Sequence, residues 1–447
     1  MEKLLQISYA GVTEQRGQRR IWLEGGRLEK AGFAHGEAFT STLNLTNRTL
    51  TLELNFMGDR QVAGRKRRNS DQYVPILDLC NADIADLVGG GERVRVAFYP
   101  GRIEISLHHE ELMREHREAR TKANLDAGCI TTGTLGAGAG ISTAALHDGL
   151  KHGGLQSECS WVVDMDGRYL AIADANNHAV TDKTRLVVAT MEELETKDLS
   201  EVDILNVSLS CTIHASCGKA KKGIAIAEED SSITSMFGLV RIIRATMPSC
   251  IVSENVTEAM NSAAFLMLKA ELQRLGYRVS EAVLNSAHAG TIENRERWWF
   301  CAVSKGLPAV KLEDLVPELR HYRAVSEIIE DTPETRAAFR HFEYLDEKEK
   351  RDIAAGKGFR QQIFSVNAES VGTVTAGYAK IRSTDPKLAG EDGKSRLFTV
   401  LEHMRLKGIP EHLLKGCGVT IGHEAAGQSI LYGHAVAIGK LTASTWS

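Results

Sequence analysis

Between residues 128 and 303 short apolar runs alternate with helix-forming segments, and no other feature of this 447-residue chain restricts its fold as tightly. The runs are "CSWVVDMD", "TRLVVAT", "VDILNVSLS", "CIVSENV" and "RWWFCAV", and segments such as "TEAMNSAAFLMLKAELQRLG" lie between them. A strand that is apolar on both faces must be covered on both. Strands alternating with helices achieve this through a largely parallel sheet. The expected fold class is therefore α/β, with a mostly parallel sheet over 128–303.

The flanks differ. Residues 1–107 read as short strands with Gly-rich turns, a small β-rich region. Two stretches look alike, "RIWLEGGRLEKAGFAHGEAFTSTLN" and "VPILDLCNADIADLVGGGERVRVAFYPGRIEI". Each runs strand, short helix, Gly turn, strand, and each helix ends at a glycine suited to a left-handed cap. The region resembles the AbrB-like swapped-hairpin barrel, its first copy the SymE-type domains, and two copies would form a pseudo-dimer within one chain. Between them "GRKRRNS" sets Arg65, Lys66, Arg67 and Arg68 in a row. That loop reads either as a solvated surface or as an arm contacting phosphates. Residues 108–127 are charged and helix-prone, a linker helix. Residues 304–392 are charge-rich, like an inserted module, and 393–447 return to helix and loop.

Composition narrows the class further. An apolar fraction of 43% with only 8 prolines excludes a disordered or collagenous chain. The net charge of −4 means that any nucleic-acid contact must come from local basic patches. No run approaches the roughly 20 apolar residues of a membrane span, and "MEKLLQISYAGVTEQRGQRR" lacks the order of a signal peptide. The 8 cysteines are scattered without C-x-x-C pairs, which argues against zinc ribbons and disulfides, with no metal site expected, and for a reducing cytoplasm.

Two motifs address a cofactor. In "TLGAGAGISTAALHDG" Gly136, Gly138 and Gly140 precede a helix, so backbone can approach a ligand closely. Further on, "WVVDMDGRYL" offers Asp164 at the end of the next strand, where an acid can accept hydrogen bonds from a ribose diol. The pair points to an adenosine-containing cofactor without separating a nicotinamide cofactor from S-adenosylmethionine. A third motif carries a thiol: "SEVDILNVSLSCTIHASCGKAKKG" places Cys211 beyond an apolar strand, and "CIVSENV" places Glu254 and Asn255 at the end of the next one.

With "ENRERWWF", "RLFTVLEHMRLKGIP" and "GQSILYGHAVAIG" added, the chain over about 128–442 resembles the DNA cytosine-5 methyltransferases. The resemblance implies a Rossmann-like methyltransferase domain over 128–303, a target-recognition domain over 304–392, and a segment at 393–447 packing back on the catalytic domain. It implies S-adenosylmethionine held by Leu135, Gly136, Ala137, Gly138, Ala139, Gly140, Ile141, Asp164, Met165, Gln428 and Ser429. It implies catalysis by Cys211, Glu254, Asn255, Arg295 and Arg297. The partner is double-stranded DNA, with Lys219, Lys221 and Lys222 on a closing loop and Lys357, Arg360, Lys380 and Arg382 in recognition-domain strands. A cytoplasmic monomer is expected, and a restriction endonuclease is the protein partner the resemblance admits.

The residue types suit the chemistry. Cytosine C5 is a poor nucleophile, and a thiolate adding to C6 makes the ring enamine-like so that C5 can attack a sulfonium methyl. A carboxylic acid kept protonated in a dry pocket can donate to ring N3 as the thiolate adds. Asn255 would fix the loop geometry, while Arg297, with Arg295, would hold the base O2 or support the Cys211 loop. The plainer readings are a core thiol for Cys211, a helix cap for Glu254, ion pairs with Glu293 or Glu296 for the arginines, and ordinary surface for the lysines.

Four departures stand against the family pattern. Ser210-Cys211-Thr212 lacks the proline before the nucleophile, and Glu293 replaces the glutamine of the Arg-rich motif. Thr134-Leu135-Gly136 replaces Asp-Leu-Phe, and "VVATMEEL" lacks the acid expected to meet the adenine amine. They keep two alternatives open: a DNA-binding regulator with an impaired methyltransferase domain, and a C5-modifying enzyme with an atypical donor.

Overall fold

In "TLTLEL" every second residue is a leucine, and Leu50 and Leu52 are fully buried, the period of a strand with one face inward. Strands of this kind fill the first of two units, Met1–His116; the second is Arg117–Ser447. The structure, a computed structural model, describes residues 3–68, 70–209 and 223–447.

The first half of the N-terminal unit runs β1 (Gln6–Gln15), β2 (Gln18–Glu24), α1 (Gly26–Lys30), β3 (Ala38–Asn44) and β4 (Thr49–Leu54). The second half repeats that order with β5 (Arg60–Gln61) and β6 (Ala63–Lys66), β7 (Tyr73–Leu79), α2 (Ala82–Val88), β8 (Arg93–Tyr99) and β9 (Arg102–Leu107). The antiparallel sheet has the order β5-β3-β4-β9-β8-β1-β2-β7-β6. Only the buried Val62 separates β5 from β6, so both ends of that order belong to one stretch of chain and the sheet closes on itself. Equivalent strands of the two halves pair with each other, Ile21 with Leu79 on β2 and β7, and Leu50 with Ile105 on β4 and β9. Glycines at positive φ follow both helices, Gly32 at 90° and Gly89 at 51°. The basic run, expected to be a loop, is half strand: Arg65 and Lys66 lie in β6, because "AGRK" finds a partner in β7.

Helix α3 (His109–Asp126) begins in the first unit, where Glu110 and Glu111 meet Arg93 at 2.7 and 3.8 Å. Its last turns belong to the second unit and are fastened by the fully buried Asp203. That carboxylate accepts from Thr121 Oγ1 (2.6 Å), Asn124 Nδ2 (2.7 Å) and the Thr131 amide (2.8 Å), and Arg120 adds an ion pair.

The second unit is built on β10 (Cys129–Leu135), α4 (Ile141–His152), β11 (Gln156–Asp164), α5 (Gly167–Asn176), β12 (Arg185–Val188) and β13 (Ile204–Ser208). There follow α6 (Ser235–Thr246), β14 (Cys250–Asn255), α7 (Ala263–Arg274), β15 (Tyr277–Leu284), α8 (Ser286–Ala289) and β16 (Arg297–Ser304). The sheet order is β12-β11-β10-β13-β14-β16-β15, parallel from β12 to β14, with β16 antiparallel to both of its neighbours. The apolar runs have the double burial the sequence predicts. Ile204, Cys250, Val252 and Cys301 join the core on one face, and Leu205, Ile251, Phe300 and Ala302 join the core on the other.

Residues 304–392 are mostly turns around a small core of Val325, Ile328, Val371, Val374, Tyr378 and Leu388. They carry α9 (Pro333–Ala337), α10 (Glu343–Ala354), β17 (Ile363–Phe364) and β18 (Lys387–Ala389), with β19 (Ser395–Arg396) completing a three-stranded sheet. The recognition-domain strands expected to carry Lys357, Arg360, Lys380 and Arg382 thus amount to two short ones, β17 and β18, and none of the four residues lies in them. The tail forms α11 (Val400–Leu406), α12 (Val419–Gln428) and α13 (Tyr432–Trp446). α13 lies directly on α4, where glycines let the backbones touch: a Cβ on Gly149 would sit 2.2 Å from the Val436 carbonyl oxygen. Among the described residues no helix is long and apolar enough to cross a membrane.

Candidate active site

In an open α/β sheet the crevice for ligands lies beyond the carboxyl ends of the strands where the strand order reverses. Here that point falls between β10 and β13. The loop leaving β10 has Gly136, Gly138 and Gly140 at φ of 65°, 53° and 74°, a conformation that disfavours side chains. Gly136 runs so close to β13 that a Cβ would lie 2.2 Å from the Ser208 carbonyl oxygen, whereas a Cβ on Gly138 would meet nothing within 4 Å. The loop is packed on its inner side and open on its outer side.

Asp164 ends β11 beside this loop, but its carboxylate is engaged by backbone. Oδ2 accepts from the Gly138 amide at 2.7 Å and Oδ1 from the Asp166 amide at 2.9 Å. It therefore shapes the glycine loop, and a ribose would use its remaining lone pairs. Met165 follows, 72% exposed, and Val188, 61% exposed, ends the neighbouring β12, so apolar side chains stand free at this edge. Where the acid after β12 is missing, Thr190 Oγ1 and Glu193 Oε2 bond to each other at 3.0 Å. From the tail, Gln428 donates to the Tyr169 hydroxyl of α5 at 2.6 Å, while Ser429 donates to Ala426 of its own helix. Asn177, which no sequence motif singles out, donates to the Gly140 carbonyl at 2.7 Å and accepts from the Ala179 amide.

The second cluster surrounds the ends of β13 and β14. Ser208 is in parallel register with Glu254, so the chain leading to Cys211 leaves the sheet beside that carboxylate. Asn255 is fully buried; its Nδ2 lies 3.4 Å from the Leu209 carbonyl oxygen and its Oδ1 accepts from the Val256 amide at 2.8 Å. It ties the exits of the two strands together. Glu254 caps no helix; Ser262 caps α7. Glu254 Oε2 is buried, has no hydrogen-bond partner among the described residues, and faces Arg297 Nε at 3.5 Å. Arg297 also donates to the Glu296 carbonyl.

Arg295 is nearly buried, with NH1 3.8 Å from Glu293 Oε1, so the ion pair weighed as its plainer reading exists, though in the interior. The same Glu293 oxygen accepts from Lys407 Nζ at 2.7 Å, and both side chains are fully buried. Burial outweighs the carboxylate and pushes the Lys407 ammonium down to about 7, with Arg295 adding to the effect.

Cys211, Ser210, Lys219, Lys221 and Lys222 lie outside the described residues. The remaining basic candidates are exposed but dispersed. Lys357 faces Asp352 at 3.7 Å, Arg360 donates to the Phe359 carbonyl, Lys380 ends a short 3-10 turn, and the Arg382 guanidinium covers Gly377. Arg65, Lys66 and Arg67 each have an acid within 4 Å, namely Glu24, Asp71 and Glu29, and Arg68 is exposed.

Residues 130–442 match the C-5 cytosine-specific DNA methylase family. The type II methyltransferase M.NlaX of Neisseria lactamica is 27% identical over 232 residues, covering 50% of this chain and 71% of that protein. M.SsoII of Shigella sonnei is 24% identical over 244 residues, covering 53% of this chain and 63% of that one. Among solved structures, the Dnmt2 methyltransferase of S. pombe superposes with a TM-score of 0.54 at 16% identity, over 71% of this chain and 97% of its own. A Spodoptera frugiperda DNMT2 mutant gives 0.55 at 16% identity, over 70% and 99%. At such identities the structural likeness speaks for the fold alone.

Proposed function

The chain belongs to the C-5 cytosine-specific DNA methylases, and from that premise we propose that Cys211, Glu254, Asn255, Arg295 and Arg297 transfer a methyl group to C5 of a cytosine swung out of double-stranded DNA. The observation that carries this reading is the Glu254 carboxylate. It stands in register with the strand that leads toward Cys211, and its buried Oε2 accepts no hydrogen bond among the described residues while the Arg297 guanidinium lies 3.5 Å away.

Each residue has a role set by its chemistry. The Cys211 thiolate adds to C6 of the extruded base, which costs a few kcal/mol to unstack. Glu254 donates a proton to N3 as negative charge reaches the ring, while Arg297 orients Glu254 and faces the base O2. Asn255 keeps the Cys211 strand at its distance from Glu254. The glycine loop with Asp164, Met165 and Gln428 fits S-adenosylmethionine: backbone is open at Gly138, and Met165 and Val188 offer apolar contact at the edge. That donor, when bound, supplies an electrophilic sulfonium methyl. Ala189 and Thr190 follow β12 directly and Glu193 is bonded to the Thr190 hydroxyl, so an adenine amine would meet backbone or Thr190 there.

The first unit we read as an AbrB-like swapped-hairpin barrel that adds phosphate contacts through β6. The support is its closed sheet with equivalent strands paired across the repeat. Exposed ion pairs such as Arg65–Glu24 contribute little and give way readily to phosphates.

Nucleoside mass spectrometry of DNA incubated with the protein and S-adenosylmethionine tests the reading. It expects 5-methylcytosine from the wild type and none from Cys211→Ser. Retarded DNA with no new nucleoside would leave a binding protein instead, and a different mass increment on cytosine would mean another donor.

A further inference from the structure

The glutamate at 293, where the resemblance calls for glutamine, has a partner that explains it. Residues 291–296 have no helix or strand of their own, yet they are held on every side. The Glu293 amide donates to Leu406 at the end of α11 (3.1 Å), the Asn294 amide to Val371 (2.7 Å), and the Thr373 hydroxyl to the Asn294 carbonyl (2.8 Å). This strip joins the recognition module and the tail to the first residue of β16, which is Arg297. At its centre Glu293 and Lys407 are in contact at 2.7 Å with both side chains fully buried. Arg295 approaches the same carboxylate oxygen at 3.8 Å. A neutral amide at 293 would leave two interior cations, Lys407 and Arg295, without this anion.

We propose that the buried Glu293–Lys407 pair is a positioning device for the reaction: it locks the strip that delivers Arg297 to Glu254. The claim rests on the functional reading above. A buried ion pair is not expected to outperform a well-packed neutral pair in stability, but removing one partner strands the other charge. Its function is therefore expressed as register. With the strip loosened, Arg297 would lose its approach to Glu254 Oε2, now 3.5 Å.

The test compares wild type, Glu293→Gln, Lys407→Met and the double variant in methyl-transfer kinetics and in amide hydrogen exchange over 294–299. Each single variant is expected to lower kcat at least about tenfold, with KM for DNA within about threefold, and to raise exchange in the strip. The double variant removes the Lys407 charge together with its anion and leaves only Arg295, 3.8 Å from the former carboxylate, so it is expected to recover kcat at least about threefold over the slower single variant and to regain most of the protection. Singles with wild-type kcat and exchange, or a double variant as slow as the slower single, would overturn the proposal. Should the singles fail to fold, a folded and protected double variant supports it and an unfolded one overturns it. Should the wild type transfer no methyl group to cytosine, the functional reading fails, and the exchange pattern alone decides whether the pair locks the strip.

Discussion

Glu254 and Asn255 sit side by side on one strand and do different work. The amide of Asn255 points back into the protein, to Leu209 and to its own chain. The carboxylate of Glu254 keeps an oxygen that accepts no hydrogen bond among the described residues and faces only the Arg297 guanidinium, at 3.5 Å. Removing an acid that transfers a proton in the rate-determining step typically lowers the rate by about 10² to 10⁴. Glu254→Ala should therefore lose that much in kcat, measured with a radiolabelled methyl donor, and should leave thermal stability near that of the wild type. A variant within a few-fold of wild type would remove Glu254 from the chemistry. The register of Glu254 with the end of the strand that precedes Cys211 was legible in "CIVSENV" and "VDILNVSLSC", because parallel strands bring their carboxyl ends together. The engagement of Asp164 by the Gly138 amide was not, since nothing in an acid's sequence position tells whether its lone pairs meet a ligand or a neighbouring loop. Glu293 and Lys407 were opaque for a similar reason: they are 114 positions apart and meet only in the fold.

Among the elements, the inner strands β13, β14 and β16 were readable because both of their faces are buried, whereas the edge strand β15, "YRVSEAVL", is half-exposed and has no apolar run to read. The recognition module was not. It is held by a few long-range contacts such as Val325 with Val371 and Val374, and irregular backbone of this kind has no periodicity to read. The basic run shows an intermediate case, since "AGRK" alternates too briefly to announce a strand, yet β7 supplies the partner. If β6 meets phosphates, replacing Arg65, Lys66, Arg67 and Arg68 by alanine should flatten the slope of log Kd against log salt. Every phosphate that these cations neutralise adds about 0.9 to that slope, and a drop of about 2 or more is expected in the variant. An unchanged slope would mean that Glu24, Glu29 and Asp71 keep these cations to themselves.

At the scale of the whole molecule, the second unit buries histidines in numbers that matter. Burial pushes His147, His423 and His434 down to about 4, and His403 well below its ordinary value. His147 is held neutral between the Thr132 and Ser157 hydroxyls at 2.7 and 2.8 Å. In an unfolded chain imidazoles protonate near pH 6.5. Between that value and about 4 the unfolded state takes up protons that the fold refuses. The histidine contribution to stability is thus complete above pH 6.5 and falls as the pH drops toward 4, by about 1.4 kcal/mol per pH unit for each histidine. Denaturant titrations at stepped pH should show this loss beginning near 6.5, whereas a stability flat down to pH 4 would contradict the burial. The division into a closed β unit and a sheet flanked by helices was readable from the change in periodicity near residue 128. The return of the tail to α4 was legible only through the resemblance, because helix-on-helix contact through Gly149 leaves little trace in an apolar pattern.

The account depends most directly on a transient bond between the Cys211 sulfur and cytosine C6. A duplex carrying 5-fluorocytosine, incubated with S-adenosylmethionine, should capture the wild-type protein as a denaturant-resistant adduct that peptide mass spectrometry maps to Cys211. Capture at another residue, or none from a protein that binds the duplex, would contradict it.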